Sequence, residues 1–225
     1  MTLAPVRVCV FDAYGTLFDL NGLSRLVRDD LGERADTLLR LWRKRQMELS
    51  WLPLRPGVHA DFWRLTDEAL DFAMDTLGLD DRGLRLRLME GWLNPELYPD
   101  TEGALDRLRE MGYPMAILSN GSLAMLKSTL VMPGIRNTVD AVLSAQSVGR
   151  FKPDPLVYQL ATTHFGLAPE SVCYVSANAW DVSGASAFGF QVVWINRDKV
   201  PAEKLPLGTK ATVASLAELP AILGG

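Results

Sequence analysis

The stretch that most constrains this chain is Val6-Arg7-Val8-Cys9-Val10-Phe11-Asp12-Ala13-Tyr14-Gly15-Thr16-Leu17-Phe18. A nearly continuous apolar run, rich in β-branched residues, stops at an acid and a glycine turn. Such a run reads as a parallel strand buried on both faces. Asp12 then lies just past the strand's carboxyl end, where open α/β sheets place their ligands. Gly15 permits an unusual backbone angle, and Thr16 sets a hydroxyl beside the acid. Taken alone, Asp12 is most simply an acid closing a strand-to-loop turn. Its meaning depends on what stands at the ends of the later strands.

After Thr16 the strand signals stop and helical periodicity takes over. Residues 33–51 hold Leu38, Leu41, Trp42 and Leu49 among good helix formers, with Pro53 and Pro56-Gly57 beyond them. Over 58–79, Phe62, Leu65, Ala69, Phe72, Ala73 and Leu77 recur at spacings of three and four, and Gly78 suits the stop. A third helix is expected over 82–94, closed by Pro95. From Pro99 the chain alternates. A helix is expected at 101–111, strands at 115–118, 141–143, 172–175 and 191–195, and a weak edge strand at 211–213, with helices between. Repeated strand–loop–helix units imply a doubly wound parallel sheet. The expected architecture is therefore an α/β, Rossmann-like core built from residues 1–18 and 99–225, with an all-α cap inserted at 19–98.

Four successive strands deliver polar groups at their carboxyl ends. The groups are Asp12 and Thr16, then Ser119 and Asn120, then Lys152, then Ser176, Asn178 and Asp181. Each has a plain alternative. Ser119-Asn120-Gly121 could be a capped turn, Lys152 a surface lysine before a proline-initiated helix, and Asp181 a capping acid. A parallel sheet gathers all four groups at one edge, and independent caps need not favour the same edge. A shared site is the better reading.

Asp12-Ala13-Tyr14-Gly15-Thr16, Leu118-Ser119-Asn120-Gly121-Ser122, Phe151-Lys152-Pro153-Asp154-Pro155 and Ser176-Ala177-Asn178-Ala179-Trp180-Asp181-Val182 resemble, in that order, the four motifs of the haloacid dehalogenase superfamily. Within it they resemble the (S)-2-haloacid dehalogenases, and the resemblance spans essentially the whole chain. It implies hydrolysis of (S)-2-haloacids to (R)-2-hydroxy acids and halide, through an ester on Asp12 and without a cofactor. It also implies that Arg43 in the cap accepts the halide and that Tyr158 lies near the nucleophile. Ala13, Tyr14, Met47, Phe62, Ser119, Asn120 and Trp180 are then expected around the substrate. From periodicity alone Tyr158, Met47, Phe62 and Trp180 are equally core residues. Helical spacing also leaves two arginines open, since Arg43 neighbours Leu39 and Met47 while Arg45 neighbours Leu41 and Leu49. The resemblance chooses Arg43. Lys44 departs from the glutamine often found in close relatives, which puts pocket size and chain-length preference in question.

The residues carry the chemistry further. Magnesium-dependent members of the superfamily place a second acid two residues after the nucleophile, where this chain has Tyr14, and the last motif supplies only Asp181. That donor set is poor for Mg²⁺, which needs hard oxygen ligands, so no metal is expected. Asp12 would attack C2 in line, and a carboxylate needs no base to do so at neutral pH. Hydrolysis of the ester does need one, and Asp181 is the candidate, oriented with Asn178 and Lys152. The helix start after Asn120, the Ser119 hydroxyl and Lys152 are donors for the substrate carboxylate. The rival readings are a hydrolase of another activated 2-substituted carboxylate by the same chemistry, a Mg²⁺-dependent phosphatase, and a binding protein that kept the fold.

The formal net charge of -4 offers no general surface for nucleic acid or membrane, and no stretch approaches the ~20 apolar residues of a membrane span. Cys9 and Cys173 lie inside strand-like runs and read as buried thiols of a reducing compartment. His59 and His164 read as solvated surface residues. A cytoplasmic location is expected, and relatives of this kind are commonly homodimers.

Overall fold

The structure, a computed structural model, describes residues 5–52, 61–130, 135, 137–201 and 208–224. His59 and the first residues of the helix expected from 58 lie outside them. In chain order the elements are β1 (Val8–Phe11), β2 (Phe18–Asp19), α1 (Asn21–Leu26), α2 (Arg28–Leu31), α3 (Arg34–Ser50), α4 (Phe62–Thr76), α5 (Arg82–Leu93) and β3 (Glu96–Leu97). There follow α6 (Thr101–Glu110), β4 (Met115–Ser119), α7 (Leu123–Leu130), β5 (Ala141–Ser144), α8 (Pro155–Phe165), β6 (Val172–Ser176), α9 (Ala179–Phe188), β7 (Gln191–Ile195), β8 (Thr209–Val213) and α10 (Leu219–Ile222).

Six strands form one parallel sheet in the order β5-β4-β1-β6-β7-β8. The opening apolar run occupies its middle, and every residue of β1 is buried. Burial of each large apolar side chain there contributes roughly 1.5–3 kcal/mol. From β1 the chain moves outward through β4 and β5, then returns to lay β6 against the other side of β1. The strand order therefore reverses at β1 and β6, and the crevice between their carboxyl ends is where such sheets hold ligands. Cys9 and Cys173 are register partners on these two strands, both buried and both free thiols.

The helices between β1 and β4 build on aromatic contacts. Helices α3 and α4 pack along each other, and the Trp42 indole N–H donates to the Thr66 carbonyl at 2.7 Å. The Trp42 and Trp92 rings meet at 4.8 Å. Asp61 and Asp81 cap α4 and α5 by accepting from Trp63 N and Leu84 N. This insert is not wholly helical as expected: β2 pairs antiparallel with β3 at its root, Phe18 opposite Leu97 and Asp19 opposite Glu96. The entering and leaving chains run side by side there, so their backbone groups satisfy each other, and Tyr98 N donates to the Leu17 carbonyl at 3.0 Å. Two residues per strand are too few to show a period in sequence. Among the described residues no helix is long and apolar enough to cross a membrane.

Candidate active site

The turn after β1 is built by backbone pairing. The buried Ala13 carbonyl accepts from Thr16 N and Leu17 N at 3.2 and 2.9 Å, and Gly15 takes φ +85°, a conformation that favours glycine. The turn leaves Asp12 over the crevice with its carboxylate held on both oxygens. Oδ1 accepts from Lys152 Nζ at 2.9 Å, and Oδ2 accepts from the Thr16 hydroxyl at 2.9 Å and from Asn178 Nδ2 at 2.8 Å. Thr16 Oγ1 in turn accepts from Ala177 N at 3.0 Å, so the first and last motifs are tied together. Ser176 Oγ accepts from Asn178 N at 3.1 Å and fixes that loop.

Lys152 is fully buried and lies between two acids, since its Nζ also donates to Asp181 Oδ2 at 3.1 Å. Burial alone would lower its pKa, but the charges of Asp12 and Asp181 outweigh it and hold the ammonium above its ordinary value. Asn120 Oδ1 accepts from Lys152 N at 2.8 Å, which sets where the lysine enters the site. Ser119 Oγ accepts from Gly121 N at 3.1 Å and shapes the start of α7.

Asp181 sits in the first turn of α9, a favourable place for an anion. The Tyr158 hydroxyl donates to its Oδ1 at 2.8 Å, and the Tyr174 hydroxyl donates to its Oδ2 at 2.8 Å. Burial pushes the Asp181 carboxyl above its ordinary value, with Lys152 pulling the other way. Tyr158 can reach it because residue 184 is glycine: a Cβ there would stand 2.5 Å from the tyrosine hydroxyl.

The insert supplies the opposite wall. Arg43 is half-buried on α3, with its guanidinium 5.4 Å from the Trp92 ring and Nη1 donating to Gln46 Oε1 at 2.5 Å. Burial brings its pKa down to about 10, opposed chiefly by the charge of Asp12, so it remains a cation at neutral pH within the field of Asp12. Among the described residues it has no acid partner at ion-pair distance. Arg45 instead pairs with Glu48 at 3.3 Å and lies 4.7 Å from the ring of Phe72. The two arginines that periodicity left open thus differ in their neighbours: Arg45 has an acid at ion-pair distance and Arg43, among the described residues, has none. Lys44, expected to bear on pocket size, points to solvent with 74% of its side chain exposed, 3.9 Å from Glu48. It is an ordinary surface pair of one helical turn.

Tyr14 is buried against Trp92 at 5.5 Å, with its hydroxyl 3.4 Å from Thr129 Oγ1. Met47 is buried one turn beyond Arg43, and the Phe62 ring meets Phe151 at 5.4 Å beside Lys152. Trp180 is half-buried, edge-on to Trp51 at 5.7 Å. Two residues of the site were not anticipated. Gln46 links Arg43 to α4 by donating from Nε2 to Thr66 Oγ1 at 2.5 Å, and its position three residues after Arg43 on one helix was the available signal. The other is Tyr174, in a strand buried on both faces, where a tyrosine hydroxyl needs a partner.

A family model of haloacid dehalogenase-like hydrolases matches residues 6–189. The chain belongs to that family. Among the haloacid dehalogenase-like hydrolases it is 46% identical over 215 residues to (S)-2-haloacid dehalogenase 4A of Burkholderia cepacia, covering 95% of this chain and 93% of that one. A crystal structure of a dehalogenase with an intermediate complex superposes with a TM-score of 0.94 at 44% identity, over 99% of this chain and 100% of that one. The L-2-haloacid dehalogenase of Xanthobacter autotrophicus, solved with chloropropionic acid covalently bound, superposes at 0.84 with 31% identity, over 98% and 99% of the two chains.

Proposed function

We propose that this site hydrolyses (S)-2-haloacids to (R)-2-hydroxy acids and halide, with Asp12 as nucleophile and with neither metal nor cofactor. One observation carries the reading. Asp12 receives three donors and keeps an acceptor position on Oδ1, and its charge acts on Arg43, a cation with no acid at ion-pair distance among the described residues. A nucleophilic carboxylate opposite an unclaimed cation suits a displacement that releases an anion.

Asp12 Oδ1 attacks C2 in line, the C–halogen bond breaks, and the halide leaves toward Arg43. Attack in line inverts C2 once, which takes an S substrate to an R product. Asn120 uses its Oδ1 on the backbone of Lys152, which leaves its NH₂ as a donor for the substrate, together with Ser119 and the start of α7. Tyr14, Ala13, Met47, Phe62 and Trp180 form the apolar surroundings of the alkyl group. In the ester, Oδ2 becomes the carbonyl oxygen, and the Thr16 hydroxyl and Asn178 Nδ2 already point at it as an oxyanion hole. Water attacks the Asp12 carbonyl carbon, Asp181 takes its proton, and cleavage of the carbonyl–oxygen bond frees the hydroxy acid. A magnesium ion finds little here: Tyr14 stands where a second acid would, and Asp181 is committed to Lys152 and two tyrosines. The insert at 19–98 acts as a cap that carries Arg43, the cation that receives the halide, over the core. Free buried thiols at Cys9 and Cys173 favour a cytoplasmic setting, and a homodimer accords with the family.

The test is chloride release from L- and D-2-chloropropionate in EDTA, with a single turnover in ¹⁸O-water. Chloride from the L isomer alone and label first in Asp12 are expected. Label passing directly into the hydroxy acid would remove Asp12 as nucleophile, and phosphate release from p-nitrophenyl phosphate with Mg²⁺ in place of dehalogenation would overturn the reading of Tyr14.

A further inference from the structure

Asp181 is reached by Lys152 from the loop before α8, by Tyr158 from α8 and by Tyr174 from β6, and Asp12 on the turn after β1 is the other charge acting on it. A carboxylate offers about four acceptor positions. Lys152 and Tyr174 fill both on Oδ2, and Tyr158 fills one on Oδ1. A single position remains, on Oδ1.

We propose that Tyr174 is a positioning residue for ester hydrolysis, whose hydroxyl locks Asp181 Oδ2 against Lys152 so that Oδ1 alone takes the proton of the attacking water. The proposal rests on the role given above to Asp181 as base. The Tyr174 hydroxyl is spent on Asp181; the residue is fully buried, with its ring 5.6 Å from Phe190 and 5.3 Å from Lys152 Nζ. Packing alone would be served as well by phenylalanine, and the hydroxyl is the part that reaches the base. Without it, Oδ2 keeps an open acceptor position and the carboxylate is free to turn. The step balances simply: a water O–H bond breaks, its proton joins Oδ1, and the oxygen bonds the Asp12 carbonyl carbon. That proton then returns to the departing alkoxide.

A donor to the carboxylate favours its charged form, so removing the hydroxyl raises the pH at which the base becomes active. The experiment follows L-2-chloropropionate through a single turnover, reading ester formation by chloride release and ester loss by the mass of the Asp12 peptide. In Tyr174→Phe the acid limb of ester loss is expected to move up by about one pH unit, and ester accumulates because its loss slows relative to its formation. Placing 3-fluorotyrosine at position 174, a stronger donor, is expected to move the limb down, and it tests the same contact if the phenylalanine variant folds poorly. Limbs left in place in both proteins, with only the melting temperature changed, would reduce Tyr174 to packing. No ester on Asp12 in the unaltered enzyme would instead overturn the reading on which the proposal rests.

Discussion

The two walls of the site hold their cations in opposite ways. On the core side Lys152 lies between Asp12 and Asp181 at 2.9 and 3.1 Å, with about 1% of its side chain exposed. On the insert side Arg43 rests on the neutral amide of Gln46 and near the ring of Trp92, with no acid at ion-pair distance among the described residues. A buried cation flanked by two acids is satisfied before any substrate arrives. A cation with neutral partners keeps its field for an incoming anion, and in a partly desolvated crevice that field is strong. On the proposed mechanism the core wall therefore combines stability with chemistry, whereas the insert wall serves mainly to bind.

The largest effects should come from testing that division with methionine at each cation. Lys152→Met leaves two buried carboxylates without their cation, and breaking such a pair costs about 3–5 kcal/mol. Turnover is expected to fall on the order of 10³-fold or more. The stability loss also has a pH signature. Burial already raises Asp181, and removing the lysine raises it further. A carboxyl whose folded pKa lies above its unfolded value contributes stability that is complete below the unfolded value and is lost as pH rises through the folded one. The variant should thus lie closest to wild type in acid and lose ground toward neutrality, as urea unfolding across that range would show. Arg43→Met should cost less than about 1 kcal/mol while still crippling turnover. Equal losses of stability would break the comparison.

What could be read in the sequence follows the same division. The core strands stood out because each is an apolar run ended by a turn, and the polar groups at their carboxyl ends were legible as one set once the sheet was taken as parallel. The insert was less transparent. Arg43 and Arg45 both have apolar neighbours one turn away, and only the fold shows that Glu48 and Phe72 occupy Arg45. Gln46 is a polar residue that no motif singles out, yet it is fully buried and bonded to Arg43. The ribbon of β2 with β3 has two residues per strand, below the length at which alternation registers. Tyr174 was concealed by its strand, whose apolar neighbours made it read as core although its hydroxyl reaches Asp181.

An intermediate effect separates the two arginines. Arg43→Ala is expected to lower kcat/KM for L-2-chloropropionate by about 10²-fold, the scale of losing one preorganised charge-stabilising donor. Arg45→Ala removes a partly exposed pair with Glu48 and should change it by no more than about twofold. The reverse ranking would transfer the halide role to Arg45 and undo the contrast between a paired and an unpaired cation.

The smallest effect is the most direct probe of why the insert leaves its arginine unpaired. Gln46→Glu keeps the shape of the side chain and installs the acid that Arg43 lacks, which makes the insert wall resemble the core wall. Arg43 would then be satisfied in advance, as Lys152 is. The melting temperature should hold or rise, while KM for L-2-chloropropionate and the inhibition constant for chloride each rise by about tenfold, the worth of one charge-assisted hydrogen bond diverted from the ligand. Gln46→Leu checks the alternative that any loss of the amide is enough, because it removes the contact to Thr66 without adding charge. If both variants weaken chloride equally, Gln46 matters for placing Arg43. If only the glutamate does so, the absence of an acid at this position is itself the feature that lets the insert bind an anion.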